Sequence, residues 1–413
     1  MQRWKRIVPV IRAGFLAGLV VASRGLAESS SQVAVIPASP VTVHVALELP
    51  GDLPASPGRA ARLVEVGGSG GASPVQWTTS IRGDGSQGPL GSRLLARVEA
   101  CSGPRRFRLE AGPAAEEASP FRFEEVSAAS LRLAEGNHPV FVYNHGTITD
   151  ERVPARDVRR SRACYLHPVW GLNGEILTDD FPKDHWHHHG IFWTWPHVRI
   201  EDREYDLWVG RGIQQRFVRW LARETGPLAA VLGVENGWFV GDEKVMIERV
   251  WMRPYRSEED SRTIDLEFAW IPVGRAVTLW GAAGKSYGGV TMRFAPRREK
   301  STVITVPEGR TSADLAETPL AWADLSGRFE GRTEPSGAAV FIHPAHPDYP
   351  PTWLTRHYGC LCVGWPGVHS KTFAPGQVIR AGYRVWIHRA GADAETVRRA
   401  YAGYTAAAEA RWE

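Results

Sequence analysis

Short segments in which apolar and aromatic residues recur at every second position run through most of this chain. Side chains on a β-strand point alternately to the two faces of its sheet, so this spacing is typical of half-buried strands. The segments are also rich in β-branched and aromatic residues, which suit a pleated surface. Convincing helical patterns are scarce before the C-terminus. The clearest strand candidates are residues 139–143, 190–195, 245–252, 263–270 and 379–387.

This pattern predicts an all-β fold organised in two domains. A length of 413 residues favours two domains over one, and Trp, His and Tyr become more frequent from about residue 121. We expect a small Ig-like β-sandwich, a large antiparallel two-layer β domain, and one C-terminal helix capped by Asp393. The predicted boundaries are a linker at 28–40, the small sandwich at 41–125, the large domain at 126–390 and the helix at 391–413.

The first 27 residues predict export. Four basic residues precede an apolar run at 13–22, and small residues at 25 and 27 provide a cleavage signal. We therefore expect a cleaved signal peptide at 1–27 and a periplasmic or extracellular protein without a membrane span. Cleavage removes five basic residues and no acidic ones, which changes the formal net charge from +4 to −1. The mature chain then offers no electrostatic case for nucleic-acid binding, and no protein partner is evident.

The densest group of chemically active residues is the segment 184–190, in which an aspartate is followed by four histidines and a glycine. In a strand, His185, His187 and His189 would share one face and His188 would point to the other. Neighbours on one face lie roughly 6–7 Å apart, which suits a pair of histidines on one metal ion. The histidines are therefore either metal ligands and proton carriers, or hydrogen-bonded walls of a polar pocket.

If the histidines bind a metal, His185 and His187 are the ligands of one divalent ion, whose element the sequence does not identify. Its further ligands would come from elsewhere in the fold. Asp184 would then orient a histidine, as carboxylates do beside metal-bound imidazoles. If the histidines instead act as general acids and bases, His185, His187 and His188 are catalytic groups that move protons. The nearby Trp186 and Trp193 favour a sugar ligand, because aromatic faces beside polar groups suit molecules rich in C–H and hydroxyl groups.

Six segments of the chain resemble a family of exported bacterial proteins called PmoA-type, or methane oxygenase PmoA-like. The match runs in order from about residue 139 to residue 390, which is about two thirds of the chain. At position 189 this chain has His where the family more often has Arg. The matching segments are 164–169 (Cys-Tyr-Leu-His-Pro-Val), 180–192, which includes the histidines, 285–289 (Lys-Ser-Tyr-Gly-Gly), 322–327 (Trp-Ala-Asp-Leu-Ser-Gly), 342–344 (Ile-His-Pro) and 349–353 (Tyr-Pro-Pro-Thr-Trp).

The resemblance implies a β-supersandwich of the galactose-mutarotase kind over residues 126–390, a fold whose concave face commonly binds sugars. It also extends the candidate site beyond the histidine segment. Lys285 and Asp324 join the candidate catalytic groups, as a cation for a ligand and a general base. Tyr287 joins the candidate substrate-binding residues, as do His167 and His343, which each precede a proline.

These observations leave three functions open. The first is an exported enzyme that acts on a small-molecule sugar or glycoside by epimerisation, elimination or hydrolysis, using the histidines to move protons. The second is a non-catalytic carbohydrate-binding protein. The third, which the family name suggests, is a metal-dependent oxygenase, since clustered histidines also suit copper and iron. Whether the protein is an enzyme is not decided by its sequence.

Overall fold

A computed structural model describes residues 33–49, 61–67, 72–89, 92–111 and 118–413. The predicted signal peptide at 1–27 lies outside the described residues. Within them, one α-helix is present, α1 (Ala394–Ala408), together with a single turn of 3₁₀-helix at Val158–Arg160. In chain order the strands are β1 (Val33–Ile36), β2 (Val43–Glu48), β3 (Ala61–Glu65), β4 (Ala72–Thr78), β5 (Arg93–Val98), β6 (Arg105–Ala111), β7 (Phe121–Ser127), β8 (Ser130–Glu135), β9 (His138–Asn144), β10 (Ile148–Thr149), β11 (Ser161–Arg162), β12 (Tyr165–Val169), β13 (Ile191–Thr194), β14 (His197–Ile200), β15 (Arg203–Tyr205), β16 (Gln214–Thr225), β17 (Ala230–Val240), β18 (Glu243–Pro254), β19 (Ser261–Pro272), β20 (Val277–Trp280), β21 (Gly289–Arg293), β22 (Val303–Val306), β23 (Gly309–Thr311), β24 (Thr318–Pro319), β25 (Trp322–Gly327), β26 (Ser336–Ile342), β27 (Thr352–Arg356), β28 (Cys360–Gly364), β29 (Lys371–Phe373), β30 (Ile379–His388) and β31 (Arg411–Trp412).

Two nine-stranded antiparallel sheets form the centre of the protein. The first has the strand order β24-β27-β28-β21-β13-β12-β9-β8-β7, and the second has the order β16-β17-β18-β19-β30-β26-β25-β22-β23. Their inner faces share one apolar core, to which Trp193 contributes from the first sheet and Trp270 from the second. The predicted all-β class, with antiparallel sheets in two layers and a C-terminal helix, is confirmed.

The first sheet has a second, outward-facing cluster of aromatic residues. On β12 and β13, Leu166 and Ile191 point into the core, so their neighbours Tyr165 and Phe192 point to the opposite face. Trp208 covers this face as part of the same buried cluster. On β21 the buried Met292 belongs to the core, which places Arg293 on the outer face. This outer face carries the candidate functional site.

The small N-terminal sheet has seven strands in the order β2-β5-β4-β3-β6-β1-β31. Strand β4 pairs with β3 through residues 72–74 and with β5 through residues 75–78, so the sheet folds at β4 around one core. Its first strand begins at Val33, inside the segment predicted as linker. Strand β7, which spans the predicted boundary at residue 125, pairs with β8 in the first nine-stranded sheet.

The C-terminal helix ends before the chain does. Asp393 accepts a hydrogen bond from the backbone N–H of Thr396 at 2.8 Å, which confirms its predicted role as helix cap. The predicted helix extended to residue 413, whereas the last residues form β31 and pair with β1. Two smaller sheets, β15-β14-β20-β29 and β10-β11, complete the fold. In the described part of the chain, no helix has the length and apolar character needed to cross a membrane.

Candidate functional site

The histidine segment forms a tight loop between β12 and β13. The backbone N–H of His185 donates to the carbonyl of Pro182 at 2.9 Å, and the N–H of His188 donates to the carbonyl of His185 at 2.9 Å. The loop is closed by a hydrogen bond from the N–H of Phe181 to the carbonyl of His188 at 3.2 Å. The strand-like alternation considered from sequence therefore does not occur, because two successive turns bring neighbouring imidazoles together.

Gly190 allows the loop to pass close to β12. Its φ is +35°, and a Cβ atom at this position would lie 1.9 Å from the carbonyl oxygen of Leu166 and 2.8 Å from Cβ of His167. Any larger residue would push the loop away from the strand. The glycine thus fixes where the preceding histidines lie relative to His167.

A group of close-packed planar side chains surrounds the loop. The rings of His185 and His188 are nearly parallel, with centroids 4.6 Å apart, and Tyr358 lies next to both, at 5.0 Å from His185 and 6.4 Å from His188. The guanidinium of Arg293 lies 4.6 Å from the centre of the Tyr358 ring. His187 meets His188 edge to face at 4.7 Å. These ring contacts hold the imidazoles in defined orientations.

Burial keeps the inner histidines neutral. It lowers the pKa of His187 to about 3 and the pKa of His188 well below its usual value, and neighbouring histidines and arginines lower both further. Nδ1 of His187 and Nδ1 of His188 are buried and have no hydrogen-bond partner among the described residues. At neutral pH these rings are therefore unprotonated and can accept a hydrogen bond or bind a metal ion.

The arrangement fits a metal ion only in part. An imidazole binds metal in the plane of its ring, so the parallel rings of His185 and His188 cannot both face one ion. The rings of His185 and His187 are perpendicular with centroids 5.6 Å apart, which permits a shared ion. No group of three or more His, Cys, Asp or Glu residues is arranged to hold a metal in the described part of the chain. A zinc-type site requires three or four ligands, so the predicted pair of histidines lacks one or two of them.

A buried aspartate–histidine pair lies at the base of the loop, and sequence reasoning did not select it as a site. Nδ1 of His189 lies 2.8 Å from Oδ1 of Asp180, whose other oxygen accepts a hydrogen bond from the Tyr165 hydroxyl at 2.8 Å. His189 is 2% exposed. Its Nε2 atom has no hydrogen-bond partner among the described residues. Asp180 therefore holds one ring nitrogen and leaves the other available to a ligand.

The protonation of this pair is set by its burial. Burial raises the pKa of Asp180 to about 6, against the opposing influence of His167 and the Tyr165 hydroxyl. Burial also lowers the pKa of His189 well below its usual value, and the charge of Arg162 adds to this effect. Above pH 6 the pair is thus an ionised carboxylate beside a neutral imidazole. That combination is typical of a general base.

Asp184 lies at the solvent-exposed edge of the loop. Nη2 of Arg293 donates to both of its oxygens, at 2.8 and 2.9 Å, and Nδ1 of His185 lies 3.0 Å from Oδ2. Burial opposes ionisation of Asp184, but its contacts with His185 and Arg293 prevail and lower its pKa. Asp184 is therefore an ionised link between the loop and β21, and its role in orienting a histidine stays a prediction.

Most of the other predicted residues also lie around the loop. Nδ1 of His167 is 3.0 Å from the Thr178 hydroxyl, and burial lowers the pKa of His167. Trp186 is half-buried beneath the guanidinium of Arg159, at 5.0 Å. Tyr287 packs on Trp208 at 4.7 Å, and Trp208 contacts His188 at 5.8 Å. Lys285 is exposed on the turn that precedes Tyr287.

Three predicted residues lie elsewhere. Trp193 is buried in the core and donates to Glu248 at 2.8 Å, because its neighbour Phe192 occupies the outer face of β13. Asp324 lies in the second sheet and is 2.8 Å from Nε2 of His388. His343 lines a cavity of about 390 Å³ between the small sheet, the second large sheet and α1. The order of these residues in the chain did not indicate which sheet, or which face of a sheet, each of them would occupy.

A family model described as "Family of unknown function (DUF6807)" matches residues 130–402. The match begins in β8 and ends in α1, so it covers most of both nine-stranded sheets and the whole histidine loop. It leaves out the whole small N-terminal sheet, including its C-terminal strand β31, and strand β7 of the first large sheet. No curated protein matches the chain. Because the model covers well over half of its length, the chain belongs to the DUF6807 family.

Proposed function

We propose that this protein binds a sugar or glycoside on the outer face of the first nine-stranded sheet and transforms it by proton transfer, with His189 as general base. The observation that supports this most strongly is the buried Asp180–His189 pair, with a hydrogen bond of 2.8 Å on one ring nitrogen and none from the described residues on the other. General bases in proteins are held in this way, in a single tautomer and within reach of a substrate proton.

The surroundings of the pair support a sugar as the ligand. Trp208, Tyr287 and Tyr358 provide aromatic rings next to the imidazoles of His187 and His188. Rings of this kind cover the C–H faces of a sugar, while imidazole nitrogens bond to its hydroxyl groups. The resemblance to the PmoA-type family, with its galactose-mutarotase-like fold, adds fold-level support. An exported protein, as the N-terminal segment predicts, would meet such ligands in the periplasm or outside the cell.

A base in this position suits reactions in which a proton leaves carbon or oxygen of the sugar. Epimerisation and elimination remove a proton from carbon next to a carbonyl group, and hydrolysis removes one from water. His187 and His188 are neutral and line the same loop, so they would accept hydrogen bonds from the substrate hydroxyls. A divalent metal held by His185 and His187 would polarise a substrate oxygen if further ligands came from the substrate itself.

The proposal is tested by incubating the full mature chain with a panel of neutral and acidic glycosides, with and without EDTA. Binding is followed by calorimetry and conversion by mass spectrometry, for the wild type and for His189→Gln. We expect the wild type to bind and convert at least one glycoside, and His189→Gln to bind it without converting it. Binding with no conversion by either protein would support the carbohydrate-binding alternative. Absence of both binding and conversion would overturn the proposal.

The pH profile of the reaction offers an independent check. Since the pKa of Asp180 is raised to about 6, its carboxylate is lost below that pH, and His189 loses the partner that holds it as a base. We expect kcat/KM to rise with pH through about 6, and to fall about tenfold per pH unit below it. Measurement of kcat/KM between pH 4 and pH 8 would reveal this decrease. A flat profile, or one that declines as pH rises through 6, would contradict the assignment.

Unfolding must be measured over the same range, because two groups of the site affect stability in opposite directions. A buried acid with a raised pKa, such as Asp180, stabilises the fold at low pH and loses this contribution as pH rises towards 6. His187, whose pKa is lowered to about 3, stabilises the fold above pH 6.5 and loses this contribution as pH falls. Circular dichroism separates such unfolding from loss of the base.

A further inference from the structure

A cationic cavity of about 340 Å³ lies beside the histidine loop, on the same outer face of the first sheet. It adjoins the site directly, because Asp184 and Tyr358 line it and both contact His185. Four basic side chains face it, against the two acids Asp184 and Glu299. The basic residues that line the cavity are Arg293, Arg297, Arg298 and Lys300.

Arg293 is the buried cation of this cavity. The residue is 5% exposed, and only Nη2 has a hydrogen-bond partner, the carboxylate of Asp184. Nε and Nη1 are both buried and have no partner among the described residues. A guanidinium presents five N–H donors in a rigid fork, and buried donors left without an acceptor are destabilising. Arg293 is therefore a buried cation, two of whose nitrogen atoms have no hydrogen-bond acceptor among the described residues.

Arg297 adds a second positive charge that no acid neutralises directly. Its hydrogen bonds in the described part of the chain go to the Thr302 hydroxyl and to the backbone carbonyls of Ala295, His357 and Tyr358. Burial, and then the charge of Arg293, lower the pKa of Arg297 to about 10. Of these two neighbouring guanidinium groups only that of Arg293 is hydrogen-bonded to a carboxylate, that of Asp184, while Asp179 acts on Arg297 through its charge, and the cavity favours an anion.

Packing alone does not account for Arg293. Its guanidinium stacks on Tyr358 at 4.6 Å, and a purely structural arginine would gain from that contact. Unpartnered donors alone do not distinguish it, because Arg253 and Arg262 also have two buried nitrogen atoms each without a partner among the described residues. Arg293 differs from those two arginines in that it also lines this cavity beside the histidine loop.

We propose that this cavity binds the anionic group of the substrate, a carboxylate or a sulfate bonded by Arg293, so that the site takes an acidic sugar. This inference rests on the proposed function and adds the substrate class to it. Carboxylates and tetrahedral oxyanions such as sulfate can each present two oxygen atoms to the fork of a guanidinium, and a lysine such as Lys300 would add charge at the rim.

The test compares a uronic-acid oligosaccharide, a sulfated oligosaccharide and a neutral oligosaccharide of the same backbone by titration calorimetry. Inorganic sulfate and acetate serve as minimal probes. The proteins are the full mature wild type, Arg293→Gln, Lys300→Gln and the matched control Arg203→Gln, which alters an exposed arginine of β15 outside the cavity. Lys300 is exposed, so its variant remains informative if Arg293→Gln does not fold.

We expect at least one acidic ligand to bind the wild type ten times more tightly than the neutral one. Arg293→Gln should weaken acidic binding about tenfold more than neutral binding and so remove this preference, Lys300→Gln should weaken acidic binding two- to threefold, and Arg203→Gln should change neither. The preferred acid identifies the group as carboxylate or sulfate. Equal affinity for acidic and neutral sugars, or equal weakening of both by Arg293→Gln, would overturn the inference.

The probes separate this inference from the proposed function. If sulfate or acetate binds in a manner that depends on Arg293 while no glycan binds, the anion cavity stands and the sugar function fails. If glycans bind and their charge makes no difference, the sugar function stands and the anion cavity fails. If neither glycans nor the small anions bind, both fail.

Discussion

Replacing Glu248 by glutamine is expected to lower the free energy of unfolding by about 3–5 kcal/mol, the largest effect on stability that we anticipate. Glu248 is fully buried between the two large sheets. The indole N–H groups of Trp193, Trp238 and Trp270 donate to its oxygens at 2.8, 2.8 and 3.1 Å, and the side-chain amides of Gln215 and Asn236 donate at 2.9 Å. A glutamine amide would turn an NH₂ group towards these donors and leave some of them unpaired.

The measurement is unfolding by urea, followed by tryptophan fluorescence. A suitable control is Glu243→Gln, which removes a carboxylate from an exposed position at the start of the same strand, β18. We expect this control to change the free energy of unfolding by no more than about 0.5 kcal/mol. A Glu248→Gln protein within about 1 kcal/mol of the wild type would show that the fold does not depend on this carboxylate.

The second large effect concerns activity. Asp180→Asn is expected to reduce kcat by a factor of about 10²–10⁴ on the glycoside that the screen identifies, because a positioned general base contributes an acceleration of this order. Asparagine has nearly the same shape but carries no charge. Its NH₂ group can donate to Nδ1 of His189, which would move the ring proton to Nε2 and leave that nitrogen unable to accept a proton.

Asp179→Asn is the matched control for this variant. Asp179 is the adjacent, half-buried carboxylate, and it has no hydrogen bond to His189. We expect the kcat of the Asp179→Asn control to stay within a few-fold of the wild-type value. The decrease of kcat/KM below about pH 6 should disappear in Asp180→Asn alone. NMR of the imidazole nitrogens would report the tautomer of His189 independently of turnover. A fall in kcat of less than tenfold, with the wild-type tautomer retained, would refute the role of Asp180.

The strands were the part of the fold most readily predicted. Segments 245–252, 263–270 and 379–387 lie within β18, β19 and β30, because the alternation of buried and exposed side chains is a local property of each strand. The pattern of residues 214–223 fits either a helix or a strand and favours a strand, and these residues do form part of β16, which pairs with β17 over most of its length. The C-terminal helix was expected to continue further, but pairing of Ala34 and Val35 with Trp412 and Arg411 ends the chain as a strand.

The composition and order of the chain by themselves determined the all-β class and the cap of the C-terminal helix, and they singled out the histidine segment as the candidate site. Each of these depends on neighbours a few residues apart. Tertiary structure alone decided how the histidines are arranged. Two turns and Gly190 place His189 against Asp180, and the pairing of β13 with β21 brings Arg293 to Asp184 from 109 residues away along the chain. Such contacts arise from the pairing of strands that are distant in the chain, so no local sequence pattern predicts them. The same pairing places Trp193 in the core.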